Sequence, residues 1–206
     1  MADNVAALVR LMVVTDDALV TGHDLVSLGR AVERGGASAI QLRLKRVSPR
    51  ELAAAGRRLL AAVTIPVLIN DRPDVALAVG AAGVHLGPDD LPVSLARRVT
   101  PPGFVIGASV GSADEAAAAA GADYWGIGPW RVTATKGDAG DALGLEGFGR
   151  LARVSDGRPC LAIGGVVPDD VPQVLVAGGA GVAVAAGILS SDDVEGATRR
   201  YATAGR

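Results

Sequence analysis

The sequence of 206 residues predicts one domain, a compact (β/α)8 or TIM barrel that spans residues 1–206. Three observations predict this fold class. Eight short apolar runs alternate with eight longer, helix-like segments, which is typical of a parallel sheet covered by helices. A glycine that ends a helix-like segment just before a new apolar run recurs at Gly36, Gly80, Gly121 and Gly179, ahead of every second run. The even spacing of eight units favours a closed barrel over the alternative, an open doubly wound sheet.

The eight apolar runs are the predicted strands. Each is short, rich in Val, Ile, Leu or Ala, and bounded by Gly, Pro or polar residues, as buried parallel strands are. In chain order they cover residues 11–15, 39–44, 67–70, 83–86, 105–109, 124–127, 160–163 and 181–184.

The segments between the strands carry helix start signals. Ser48, Pro49 and Glu51 combine an N-cap, a first-turn proline and the acid of a capping box. Asp169 and Asp192 place acids in first turns, where the helix dipole favours them. The predicted helices cover residues 24–34, 48–63, 72–79, 92–99, 113–120, 145–154, 169–177 and 191–201. An extended, lid-like loop at about residues 129–144 follows the sixth strand.

Composition excludes several classes of protein. Half of the residues are apolar but only 3% are aromatic, so the core consists mainly of small and aliphatic side chains. The net charge of −2 and the scattered cations give no electrostatic attraction to nucleic acid. Every apolar run is too short to span a membrane. The single Cys160 and the absence of signal-peptide features lead us to expect a cytoplasmic protein.

Polar residues at the end of the second predicted strand indicate a site for an anion. Gln41, Arg43 and Lys45 alternate with apolar residues, and a period of two places all three on one face. In a barrel with apolar residues facing the helices, we expect this face to point inward. Two cations and an amide suit a polar, anionic ligand. The alternative is an edge strand with one solvated face.

Aspartates follow the next two strands. Asp71 follows the third strand, and Asp89 and Asp90 follow the fourth. Neighbouring strands lie about 4.8 Å apart, so carboxylates from the two strand ends can share one Mg²⁺. The alternative is that Asp71 and Asp89 cap the helices that follow them.

The last strands and the long loop indicate a second anion site. Loops after strands seven and eight of such barrels frequently bind phosphate through backbone N–H groups. Small residues at these strand ends let the backbone N–H groups approach a phosphate closely. The long loop adds two hydroxyls and an ammonium group, and the alternative for this loop is a solvated, flexible segment without a ligand. These residues are Gly164, Gly165, Ala185 and Ala186 at the strand ends, and Thr133, Thr135 and Lys136 in the loop. Two anion sites predict two small phosphorylated substrates, or one long one.

The motifs together, in this order along the chain, resemble those of the thiamine phosphate synthase family. They are Gln41-Leu42-Arg43-Leu44-Lys45, Ile69-Asn70-Asp71-Arg72, Val84-His85-Leu86-Gly87-Pro88-Asp89-Asp90, Thr133-Ala134-Thr135-Lys136 and Ala162-Ile163-Gly164-Gly165. The resemblance implies a Mg²⁺-dependent transferase that condenses 4-amino-2-methyl-5-(diphosphooxymethyl)pyrimidine with hydroxyethylthiazole phosphate, giving thiamine phosphate and diphosphate. It also implies that diphosphate leaves first and that the thiazole nitrogen attacks the resulting pyrimidine-methyl cation.

The resemblance assigns roles to individual residues. It implies a pyrimidine diphosphate site of Gln41, Arg43, Lys45, Asn70, Ser109 and Lys136, and catalytic roles for Arg43, Lys45, Lys136 and Ser109. It implies Mg²⁺ ligands at Asp71 and Asp90. It implies a thiazole phosphate site of Thr133, Thr135, Gly165, Ala185 and Ala186, although the family commonly has Ser where Ala186 stands.

Two other functions stay open from the sequence. One is the thiazole tautomerase of the same barrel family, which generally lacks the diphosphate-binding residues. The other is a non-catalytic barrel that binds phosphorylated ligands. Neither nucleic acid nor a membrane is an expected partner, and the sequence leaves a homo-oligomer open.

Overall fold

Eight parallel strands pair in chain order, and the eighth pairs with the first, so that the sheet closes into a barrel. The structure, a computed structural model, describes residues 2–132 and 141–205. The predicted (β/α)8 fold class is confirmed. The strands are β1 Leu11–Val14, β2 Ala39–Leu42, β3 Val67–Asn70, β4 Gly83–Leu86, β5 Val105–Val110, β6 Tyr124–Ile127, β7 Cys160–Ile163 and β8 Gly181–Val184.

Each predicted helix has a counterpart. The capping box at Ser48 and Glu51 forms at the start of the third helix, with both reciprocal hydrogen bonds present. The helices are α1 Ala2–Leu8, α2 Leu25–Arg34, α3 Pro49–Leu60, α4 Pro73–Val79, α5 Val93–Val99, α6 Ala113–Ala118, α7 Gly144–Arg153, α8 Val171–Val176, α9 Ala186–Leu189 and α10 Val194–Ala204, with a 3-10 turn at Pro168–Asp170. Helices α1 and α9 are additions that the sequence analysis did not predict. No helix within residues 2–132 and 141–205 is long and apolar enough to cross a membrane.

Alternate residues of the strands belong to two separate apolar clusters. One cluster lies between the sheet and the helices and includes Ile40 and Leu42 of β2. The other fills the barrel, because a period of two turns the intervening residues inward. This inner cluster contains Met12, Ala39, Leu68, Tyr124, Leu161 and Ala183, and it continues into Val5, Leu8 and Val9 at the N-terminal end. Helix α1 therefore covers the end of the barrel opposite the C-terminal strand ends.

A tyrosine fills the middle of this narrow barrel. Tyr124 is fully buried on β6 and lies opposite Gly107 of β5 in the strand register. A Cβ atom at position 107 would clash with the Tyr124 ring. Glycine at this position is therefore what admits the Tyr124 ring to the interior of the barrel.

The predicted end of the second strand is wrong. β2 ends at Leu42, so only Gln41 of the three alternating polar residues lies on its inward face, and Arg43 and Lys45 lie in the loop beyond it. Side chains from the end of β1 replace strand partners there. The Thr15 hydroxyl accepts from the Arg43 backbone N–H at 2.7 Å, and the Asp17 carboxylate accepts from that of Lys45 at 2.8 Å.

Replacing Gly107 with Ala tests the packing inside the barrel. We expect Gly107→Ala to lower the free energy of unfolding by about 1–3 kcal/mol, because the Tyr124 ring has no room to retreat. Gly56→Ala on α3 is the matched control, since its added Cβ would meet its nearest neighbours at an ordinary 3.5 Å. The control should be neutral or more stable by about 0.5–1 kcal/mol. Urea unfolding measures both, and equal stability of the two variants would contradict this packing.

Candidate active site

Charged and polar side chains gather where β2, β3 and β4 end, which is the end of such barrels that carries chemistry. Gln41 and Asn70 are buried on the inward faces of β2 and β3. The Lys45 ammonium lies 3.2 Å from the Asp71 carboxylate, and the Asp71 carboxyl group is hydrogen-bonded to that of Asp90. The structure thus brings Lys45 to the predicted metal ligands Asp71 and Asp90, at the strand ends where Gln41 and Asn70 also lie.

The two aspartates are held by backbone contacts rather than by helix capping. Asp71 adopts a left-handed conformation with φ of 64°, and its N–H donates to the carbonyl of His85 at 2.8 Å. Asp90 accepts from the Gly87 N–H at 2.7 Å. Helices α4 and α5 begin at Arg72 and Pro92 as N-caps, without side-chain cap bonds. The capping alternative for Asp71 and Asp89 is therefore wrong, and Asp71 instead adopts a backbone conformation that few residues other than glycine, Asn and Asp accept.

The pKa of Asp90 is raised to about 6, first by burial and then by the hydrogen bond that its protonated carboxyl group donates to Asp71. Within residues 2–132 and 141–205 no group of three or more His, Cys, Asp or Glu side chains is arranged to hold a metal. A two-carboxylate oxygen set fits Mg²⁺, which completes its coordination with water and substrate phosphate oxygens, better than it fits Zn²⁺.

The cations of the site are already paired with carboxylates. The Arg43 guanidinium donates to Asp16 at 2.8 Å, and both side chains are less than one-fifth exposed. Lys45, with half of its side chain exposed, contacts Asp71. This compensation lets two cations stand at one strand end without mutual repulsion.

A buried chain of polar side chains crosses the barrel beneath this cluster. The Ser109 hydroxyl lies 3.0 Å from Nε2 of His85, whose Nδ1 lies 2.9 Å from the Tyr124 hydroxyl. The Tyr124 hydroxyl and the Gln41 amide both donate to the sulfur of Met12. Ser109 and Gln41, both predicted to bind the pyrimidine diphosphate, are thereby linked through residues that the sequence analysis did not assign. Burial raises the pKa of Tyr124 far above its ordinary value, so it stays neutral.

Tyr124 is the residue that the sequence analysis missed. Its signal was present in the strand pattern, because an aromatic residue on the inward face needs a glycine beside it, and Gly107 and Gly126 are inward neighbours on β5 and β6. His85 is a buried histidine whose two ring nitrogens both have hydrogen-bond partners.

The glycines after β7 adopt conformations that favour glycine. Gly164 and Gly165 have φ of 91° and 74°, and a Cβ on Gly164 would lie 2.9 Å from the Pro129 backbone. Arg131 fixes this turn, because its backbone N–H donates to Gly164 at 2.8 Å and its side chain donates to Gly165 at 3.0 Å. The turn is therefore shaped by backbone constraint, as a loop that presents N–H groups requires.

Arg131 is itself held by a buried aspartate. Its guanidinium forms a two-pronged ion pair with Asp170, which is 2% exposed and also accepts from the Val167 N–H at 2.8 Å. Burial acts to raise the pKa of Asp170, but the hydrogen bonds from Arg131 and Val167 outweigh it and hold the pKa below the ordinary value.

Ala185 and Ala186 lie where β8 passes into α9, next in order around the barrel to the Gly164–Gly165 turn. Thr133, Thr135 and Lys136 lie outside the described residues. Their roles stay predictions, as does the one-domain organisation of residues 1–206 with a lid at about 129–144.

A closed (β/α)8 barrel with cations and paired carboxylates at its C-terminal rim belongs to the class of barrel proteins built to hold phosphorylated ligands. The sequence pattern of one family in particular, described as thiamine monophosphate synthase, matches residues 11–188. This chain belongs to that family.

Individual relatives agree with this membership. The chain is 45% identical over 194 residues to thiamine-phosphate synthase of Methanoculleus marisnigri, covering 92% of each chain. It is 43% identical over 197 residues to the protein of that name in Methanospirillum hungatei, covering 93% of this chain and 95% of the relative. The solved structure of thiamine phosphate pyrophosphorylase from Pyrococcus furiosus is 36% identical, with a TM-score of 0.86 over 97% of this chain and 96% of that one.

The pH dependence of stability tests the Asp71–Asp90 pair. A carboxyl group whose pKa is raised in the folded state stabilises the fold below its ordinary pKa of 3.8 and loses that contribution as the pH rises through about 6. Relative to wild type, Asp90→Asn should therefore gain roughly 1–2 kcal/mol between pH 4 and pH 7, allowing for partial exposure. Urea unfolding across this range measures the difference. A difference that does not change with pH would contradict the pairing.

Proposed function

We propose that the chain condenses 4-amino-2-methyl-5-(diphosphooxymethyl)pyrimidine with hydroxyethylthiazole phosphate, giving thiamine phosphate and diphosphate. Membership of the thiamine monophosphate synthase family supports thiamine phosphate synthesis as the reaction. The observation that carries the finer assignment is the meeting of Lys45 with the Asp71–Asp90 pair at the ends of adjacent strands. Cations beside two carboxylates suit a diphosphate that arrives with a divalent cation.

The diphosphate end of the first substrate lies against Arg43 and Lys45. Two fixed positive groups neutralise the charge that develops on the diphosphate as it leaves, and they need no reorganisation at that moment. Asp71 and Asp90 hold Mg²⁺, which when bound supplies further positive charge to the phosphate oxygens. Lys45 faces Asp71 at 3.2 Å, so the ammonium and the carboxylates lie close enough to act on one group.

The pyrimidine end lies deeper, among neutral hydrogen-bonding groups. Gln41 and Asn70 are buried amides that offer both donors and acceptors to a heterocycle. Ser109 is held by His85 and reaches the same interior. A polar but uncharged lining binds the ring without placing an anion beside the cation that forms on its methylene carbon.

The thiazole phosphate binds at the Gly164–Gly165 turn and at Ala185 and Ala186, through backbone N–H groups. Thr133, Thr135 and Lys136 complete the two phosphate sites by resemblance to the family. With Ala at position 186 this chain lacks the side-chain hydroxyl that the family commonly has there, so the backbone carries that contact.

The chemistry follows from these positions. The bond between the methylene carbon and the diphosphate oxygen breaks, and its electron pair leaves with the diphosphate. The lone pair of the thiazole nitrogen then forms the new carbon–nitrogen bond. No proton moves in either step, so charge stabilisation and exclusion of water are what the protein must supply.

Mixing both substrates with Mg²⁺ tests the proposal directly. Mass spectrometry should detect thiamine phosphate, with one diphosphate released per product. Tight binding of the thiazole compound with isomerisation, and without binding of the pyrimidine diphosphate, would favour the tautomerase. Binding of both substrates without any product would favour the non-catalytic barrel.

Asp71→Asn tests the carboxylate pair in turnover. Asn tolerates the left-handed backbone at this position, so the change removes charge while the fold is kept. We expect kcat to fall by about 100-fold or more, because a charge-stabilising group is lost at the reacting centre. The control is Asp74→Asn on α4, whose carboxylate pairs with Arg72 outside the site. A kcat near that of wild type in Asp71→Asn would overturn the assignment of Asp71.

A further inference from the structure

The cationic segment, residues 43–46, has no strand ladder to hold it. β2 ends at Leu42, and the two functional cations of the segment follow in the loop. Arg and Lys side chains have many rotamers, and a loop that moves would spread their charges over a wide volume. The site nevertheless needs Arg43 and Lys45 in fixed places. Some other contact must therefore fix this backbone.

The end of β1 supplies that contact through two side chains. The Thr15 hydroxyl accepts from the Arg43 N–H at 2.7 Å and donates to the Arg43 carbonyl at 3.1 Å, so it holds both polar groups of one residue. The two Asp17 oxygens accept separately from the N–H groups of Lys45, at 2.8 Å, and Arg46, at 3.1 Å. Together, the two side chains bind the backbone of three of the four residues of the segment, Arg43, Lys45 and Arg46.

The residues that hold the segment are themselves fixed. Thr15 is fully buried, and its own N–H continues the ladder by donating to Gln41 at 3.0 Å. The Asp17 carbonyl accepts from the Thr21 hydroxyl at 2.7 Å, and the Asp16 carbonyl accepts from the Val20 N–H at 3.0 Å. The turn after β1 is therefore an ordered support and not a chance neighbour.

We propose that Thr15 and Asp17 form a clamp that positions the cationic segment for the diphosphate of the first substrate. The clamp is a pair of positioning residues and touches no reacting atom. The inference rests on the proposed function and deepens it, because it names what sets affinity at the diphosphate end. Nothing in the clamp touches the Gly164–Gly165 turn, so its loss should weaken one substrate and spare the other.

Asp17→Ala removes two of the clamp's hydrogen bonds. With inorganic diphosphate and Mg²⁺ as the probe, calorimetry should show the dissociation constant rise about tenfold, the worth of roughly two ordinary hydrogen bonds. In turnover, KM for the pyrimidine diphosphate should rise by a similar factor, while KM for the thiazole phosphate stays at the wild-type value. A role in stability alone would leave both constants unchanged.

Asp24→Ala is the matched control. Asp24 is also an aspartate in the β1–α2 connection that accepts from a backbone N–H, at 3.0 Å from Ser27, but it caps α2 and lies outside the site. Losing the cap should lower the melting temperature by roughly 2–4 °C. The dissociation constant for diphosphate should stay at the wild-type value.

Thr15→Val and Thr15→Ser give a second, independent pair. Valine keeps the shape of the buried side chain but loses the hydroxyl, so diphosphate binding should weaken about tenfold or less. Serine restores the hydroxyl, and binding should return to within about twofold of wild type. A serine variant that binds as weakly as the valine variant would overturn the clamp.

The outcomes separate this inference from the proposed function. Wild-type protein that binds diphosphate but makes no thiamine phosphate contradicts the function and leaves the clamp testable by binding. Full activity with wild-type diphosphate affinity in Asp17→Ala and Thr15→Val contradicts the clamp and leaves the function standing. Wild-type protein that does not bind diphosphate overturns both.

Discussion

Pairing of β1 with β8 closes the sheet, and the position of every site residue depends on that closure. A closed ring of parallel strands brings eight C-terminal ends to one rim, so residues distant in sequence meet there. Closure also limits the space inside the barrel, and the Tyr124 ring fits there because Gly107 has no side chain. The same ring carries the hydroxyl that, through His85, reaches Ser109 beneath the rim. The packing of the core and the placement of the polar groups therefore depend on the same residue, Tyr124.

Charge at the rim is balanced locally and not across the molecule. Among the described residues, Arg43 faces Asp16, Lys45 faces Asp71, and Asp71 lies beside Asp90. The net charge of −2 says nothing about this arrangement. A rim built this way suits a ligand that brings charges of both signs, since anion and cation each replace an internal partner.

Local patterns in the sequence predicted the eight strands because each has its own apolar run, and a glycine that ends the preceding helix-like segment marks every second one. The end of β2 was mispredicted because it is decided by Thr15 and Asp17, which lie far away in sequence and meet Arg43 and Lys45 only after the barrel closes. Helix α1 was missed for a similar reason, since Val5, Leu8 and Val9 are ordered by the inner barrel residues they cover. Of the candidate site, Gln41 and Asp71 were predicted from their place at strand ends, whereas Asn70 and the choice of Asp90 over Asp89 came from the family resemblance. The link from Ser109 to Tyr124 needed the strand register.

Because the N-terminal end of the barrel is closed, the interior is accessible from the C-terminal end of the strands. With α1 packed on the inner cluster and Tyr124 across the middle, a ligand within the described part of the barrel approaches and departs by the rim alone. Exchange of a ligand with solvent therefore takes place at the C-terminal ends of the strands, whatever the strength of each individual contact.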